Sequence, residues 1–197
     1  MRLLWGFLFI LLIGIGSFLI WKGFGEQNPR SEGSVLAVFG EAPNFSLTER
    51  SGRALARRDL VGKPWIADFI FTSCAGQCPL MSLQMAGLQK QFSSESGLHF
   101  VSFTVDPERD TPEVLAQYAD RYGAQKERWF FLTGPKPEID RIMKGFFLSP
   151  ADQPAMHSIR FILVDRQGRL RSYYDSSDPQ SMKQLIHDAK ILIKTGE

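Results

Sequence analysis

The stretch Trp65-Ile66-Ala67-Asp68-Phe69-Ile70-Phe71-Thr72-Ser73-Cys74-Ala75-Gly76-Gln77-Cys78-Pro79 decides how the rest of the chain is arranged. Its first seven residues are apolar apart from Asp68. In a strand, Trp65, Ala67, Phe69 and Phe71 fall on one face and Ile66, Asp68 and Ile70 on the other. A strand apolar on both faces belongs in the middle of a mostly parallel sheet. Pro79 suits the first turn of a helix, where its missing N–H would have no intrahelical partner. From Pro79 to Phe92 the apolar residues Leu80, Leu83, Met85, Leu88 and Phe92 recur at roughly helical spacing, so a helix is expected there. The chain has only 2 cysteines. Cys74 and Cys78 sit where the central strand hands over to that helix, at the end of the sheet where α/β proteins place ligand sites.

Outward from this unit, the other elements are legible. Asn44 to Thr48 alternates apolar and polar residues before the turn Arg50-Ser51-Gly52, a hairpin signal. Leu98–Val105, Trp129–Leu132, Arg160–Val164 and Leu170–Tyr174 read as strands, the last two joined by a turn at Asp165-Arg166-Gln167-Gly168. Helices are expected from Asp110 to Tyr122, from Pro137 to Phe147 and from Pro179 to Lys194. Strands alternating with helices make an α/β sandwich, and an N-terminal hairpin followed by this order fits a thioredoxin-like topology.

The N-terminus has a different character. Leu3 to Trp21 spans 19 residues without a charge, flanked by Arg2 and Lys22. As a helix it would rise about 28 Å, close to the hydrocarbon thickness of a bilayer. Trp5 and Trp21 stand where interfacial aromatics belong, and no small-residue cleavage site follows. Residues 1–22 are therefore expected to be an uncleaved single-pass anchor, 23–34 a polar linker and 35–197 the folded domain. The net charge of +2 comes from 23 basic and 21 acidic residues. Arg2 and Lys22 account for the excess, so the domain is neutral. A neutral domain without basic runs argues against nucleic-acid binding.

Thiols near a helix N-terminus have their thiolates stabilised by the positive end of the helix dipole. Cysteines four residues apart in a helical turn can form a disulfide or share a metal. The bland alternatives are two inert core cysteines or a purely structural bridge. A bridge closing so short a loop would restrict the unfolded chain little. Such chemistry places the domain outside the cytoplasm, on the periplasmic or an equivalent side of the inner membrane. Of the three histidines, His99 lies inside a strand and His187 on the last helix. His157 precedes the strand at Arg160, and in a thioredoxin-like topology that loop faces the cysteine loop.

From about Ala42 to Ile193 the chain resembles the Sco/SenC family, thioredoxin-fold, membrane-tethered proteins that help build the binuclear copper centre, CuA, of cytochrome c oxidase. The pieces that carry the likeness are Phe71-Thr72-x-Cys74-x3-Cys78-Pro79, Ser102-Phe103-Thr104-Val105-Asp106-Pro107-x-Arg109-Asp110-Thr111-Pro112, and His157-Ser158 before an apolar strand. The resemblance assigns copper-ligand roles to Cys74, Cys78 and His157, and makes the CuA-bearing oxidase subunit, or another cysteine-containing periplasmic protein, the expected partner. The chemistry agrees: soft thiolates suit Cu(I), and an added imidazole accommodates Cu(II). The chain departs from the family at Ala75-Gly76-Gln77, where Pro-Asp-x is usual, which makes the loop more flexible and less negative.

Two functions from different classes follow. One is a copper metallochaperone; the other is a membrane-tethered thiol–disulfide oxidoreductase that reduces cysteines on a partner. A peroxide-consuming thiol enzyme would need an arginine beside a cysteine, which the motif lacks. Asp68, six residues before Cys74 on an apolar face, is a candidate proton relay for the cysteine pair, resembling the buried acid of the thioredoxins; Sco-like proteins do not usually carry an acid there. It could equally be a hydrogen-bonded structural acid. Asp110 and Thr111 are expected to cap the helix that follows them. Met81 and Met85 read as core and Met156 is undecided.

Overall fold

A computed structural model of the protein describes residues 36–92, 97–146 and 159–196. Val35–Glu197 form one compact unit. The expected anchor, the linker, Met156 and His157 lie outside the described residues. Among the described residues, no helix is long and apolar enough to cross a membrane.

The strands are β1 (Gly40–Glu41), β2 (Ser46–Glu49), β3 (Ala54–Ala56), β4 (Trp65–Ile70), β5 (His99–Thr104), β6 (Trp129–Thr133), β7 (Arg160–Val164) and β8 (Arg169–Asp175). The helices are α1 (Gln77–Gln91), α2 (Pro112–Arg121), α3 (Lys136–Gly145) and α4 (Pro179–Thr195). The strands form a mixed sheet in the order β1-β8-β7-β4-β5-β6-β2-β3. β4, β5 and β6 run parallel, with Asp68 opposite Ser102 and Ser102 opposite Phe131. β7 returns antiparallel to β4, and the β2–β3 hairpin extends the sheet beyond β6. The expected α/β architecture and its hairpin are therefore present.

The alternation read in β4 divides the core. Trp65, Ala67 and Phe69 join Phe103, Phe146, Ile139 and Leu47 under α3 and the hairpin. Ile66 and Ile70 join Met81, Met85, Leu115, Tyr118, Leu185 and Leu192 under α1, α2 and α4. Burying apolar surface on both sides at ~25 cal/mol per Å² is what holds a two-faced strand in the centre. Every residue of β4 is buried.

The face of α1 differs from the expected stripe. Cys78, Met81, Met85 and Leu88 are buried, confirming the two methionines as core. Leu80 and Leu83 are 55% and 59% exposed. Helix α1 begins at Gln77 rather than at Pro79, and the sheet accepts the row that starts with Cys78. Two leucines at i and i+3 look like a core stripe until the neighbouring row is seen to fit better.

Candidate functional site: the cysteine turn

The site stands at the carboxyl end of β4. Its chain leaves the sheet at Phe71 and closes a tight turn in which the Cys74 N–H donates to the Phe71 carbonyl at 3.2 Å. Helix α1 then begins at Gln77, carrying Cys78 in its first turn. Both cysteines are free thiols. Cys78 is only 3% exposed and packs into the core beside Met81, whereas Cys74 is half-buried at the rim.

The turn treats the two sulfurs unequally. Burial pushes the Cys74 thiol up, but the backbone N–H groups of Cys78, Gly76 and Gln77 and a hydrogen bond from Cys78 outweigh it, holding its pKa below the ordinary value. The Gly76 N–H lies 3.4 Å from Cys74 Sγ. This is the helix N-terminus acting on a thiolate. Cys78 is pushed up to about 12, first by burial, against a backbone hydrogen bond at Phe71, and further by the proximity of Cys74 and Asp68.

Asp68 is wholly buried on the face it shares with Cys78 and Tyr118. Neither carboxyl oxygen has a hydrogen bond of normal geometry. Desolvation raises its pKa to about 7; Ser102, its register partner, lies close enough to favour the ionised form a little but does not offset the burial. The Ser102 hydroxyl is already engaged as the acceptor for the Trp129 indole N–H at 2.9 Å. The Ser82 and Tyr118 hydroxyls pair with each other at 2.9 Å. Asp68 is thus buried with no hydrogen bond of normal geometry to offset its desolvation.

Asp110 does not cap α2, contrary to expectation. Thr111 does so, accepting from the Val114 N–H, with Pro112 in the first turn. The wholly buried Asp110 carboxylate instead accepts from the Thr72 N–H at 3.1 Å, from the Thr72 hydroxyl at 2.5 Å and from the Thr104 hydroxyl at 2.5 Å. It joins the loop after β5 to the root of the cysteine turn. Sequence spacing could not reveal this, because Asp110 and Thr72 are 38 residues apart.

The other polar candidates fall elsewhere. His99 opens β5 opposite Trp65, at the end of the sheet remote from Cys74. Burial, together with Lys63 and Arg128, pushes its pKa down to about 4, and its ring meets Phe130. His187 lies on α4 beside the buried Asp188. Among the described residues no three His, Cys, Asp or Glu side chains gather as a metal cluster. Cys74 and Cys78 can supply two soft ligands, and His157, expected as a third, lies outside the described residues.

The SCO1/SenC family model matches residues 38–194. The chain is 32% identical over 157 residues to the SCO1 protein homolog of Bacillus subtilis, covering 76% of this chain and 81% of that one. It superposes with a TM-score of 0.71 and 30% identity on BsSco, described as a member of the Sco family of cytochrome c oxidase assembly proteins with a disulfide switch; 81% of this chain and 98% of that one are covered. Copper-bound yeast Sco1 is similar at a TM-score of 0.61 and 25% identity, over 77% of this chain and 89% of that one.

Proposed function

The chain belongs to the SCO1/SenC family, and on that premise we propose that it binds copper and serves in the assembly of cytochrome c oxidase. The observation that carries the reading is the pair of free cysteines of unequal burial at one end of the sheet, with Cys74 cradled by backbone N–H groups. Two soft sulfurs, one at the rim and one inside, suit a Cu(I) cargo that must be both held and released. His157 is the third ligand in this reading and serves chiefly for Cu(II). The client is the oxidase subunit that carries CuA. Residues 1–22 tether the protein to the inner membrane, residues 23–34 link, and the domain works on the periplasmic side.

The test is copper content per chain in purified, reduced protein, with electron spin resonance on the Cu(II) form. Cys74→Ser or Cys78→Ser abolishes tight Cu(I) binding. His157→Ala leaves Cu(I) in place and changes the Cu(II) spectrum. An unchanged spectrum removes His157 from the ligand set, and full copper retention in either serine variant overturns the reading.

A second reading, disulfide reduction on a partner, is favoured by the contrast between the two thiols. Cys74, the better thiolate, attacks a partner disulfide to give a mixed disulfide. Cys78 loses its proton and displaces the partner's remaining sulfur. The partner's disulfide becomes two thiols, and Cys74 and Cys78 become the disulfide. Asp68, beneath Cys78, is the proton acceptor in this reading.

A further inference from the structure

We infer that Asp110 is a positioning residue for the cysteine pair, acting through Thr72 as a latch on the turn that carries Cys74. The proposal rests on Cys74 and Cys78 being the working thiols, and it does not depend on copper.

The two sulfurs are anchored by different means. Cys78 is fixed by burial, packed with Met81 on the inner face of α1. Cys74 is half-buried, so its placement depends on the backbone between Phe71 and Gly76. The Cys74 N–H holds the turn to Phe71, and the next residue, Thr72, is gripped by Asp110 through both its amide and its hydroxyl. Asp110 is itself immobilised: the Thr104 hydroxyl donates to Oδ2, the oxygen that also accepts the Thr72 N–H, and the Asp110 N–H donates to the Asp106 carbonyl at 2.9 Å. Thr104 completes the frame by accepting from the Asp106 N–H at 3.0 Å. A buried carboxylate with three donors and, among the described residues, no ion pair is held by hydrogen-bond geometry, so it transmits position.

Freeing Thr72 lets the Cys74 side of the pair wander while Cys78 stays fixed. The effective concentration of one thiol at the other then falls, and the intramolecular disulfide becomes harder to form. Losing one such hydrogen bond, about 1 kcal/mol net, corresponds to roughly a fivefold change in that equilibrium.

The experiment measures the Cys74–Cys78 dithiol–disulfide equilibrium in glutathione buffers, with copper content determined separately on the same preparations so that failure of the copper reading leaves this measurement intact. Thr72→Val removes one hydroxyl at constant shape, and Asp110→Asn weakens the acceptor. Each is expected to shift the equilibrium toward dithiol by roughly fivefold, and the double variant by no more than the stronger single one, because both cut the same link. Thr72→Ser restores the wild-type equilibrium. Asp188→Asn, which disturbs a buried carboxylate bonded to Tyr174 and Gln184 on the α4 side, lowers stability without shifting it. An unchanged equilibrium in Thr72→Val overturns the proposal even if Asp110→Asn does not fold. An equal shift in Asp188→Asn also overturns it, since general loosening would then explain the effect.

Discussion

Asp68 and Asp110 are both wholly buried carboxylates near the cysteine turn, and the protein treats them in opposite ways. Asp110 receives three donors from Thr72 and Thr104. Asp68 receives none of normal geometry on either carboxyl oxygen. Burying a carboxylate without compensation favours its neutral form, whereas three converging donors can keep one in place as a strut. The comparison separates a group arranged to exchange a proton from one arranged to hold a loop. Both lie at the same end of one sheet.

The largest expected effect is at Asp68. Its folded pKa of about 7 lies above the ordinary value of 3.8 for an exposed aspartate. The native state therefore binds the proton more tightly than the unfolded state. Its stabilising contribution is complete below about 3.8 and is lost as pH rises toward about 7. Asp68→Asn removes that loss. Relative to wild type, the variant gains up to about 4 kcal/mol of stability between pH 4 and pH 8 in urea unfolding. It also slows reduction of a disulfide substrate while leaving Cu(I) binding intact. Parallel stability curves for the two proteins would show that Asp68 is not the neutral, desolvated acid described.

A smaller loss is expected at the strut. Asp110→Ala deprives the part-buried Thr72 N–H and hydroxyl and the buried Thr104 hydroxyl of their acceptor, costing about 3 kcal/mol at pH 7 in the same assay. A cost below about 1 kcal/mol would mean that water or neighbouring groups replace the carboxylate, and the contrast between the two acids would collapse.

Smallest is Ser102→Ala, at about 1 kcal/mol, because the Trp129 indole N–H loses its acceptor. This change sharpens the comparison further. Ser102 favours ionised Asp68, more than the Asp68 backbone does, so the pH range over which stability falls should extend upward in the variant. A range that stays put would assign Ser102 wholly to Trp129.

Local pattern was sufficient for the order of elements. The apolar alternation of Trp65–Ile70, the turn at Gly168 with its φ of +82°, Pro112 and Pro179 in the first turns of α2 and α4, and the two cysteines at a strand–helix junction are all short-range features. They depend on residues within a few positions of one another, so the sequence by itself determined them. The burial of Asp68 was equally legible, since both faces of its strand are apolar. Only the tertiary structure decided which row of α1 meets the sheet, and so left Leu80 and Leu83 outside. It alone joined Asp110 to Thr72 across 38 residues and Ser82 to Tyr118 across 36. Those outcomes depend on which strands become neighbours and on which donors are already engaged. A hydrogen bond between distant residues is a property of the assembled sheet, and no spacing along the chain encodes it.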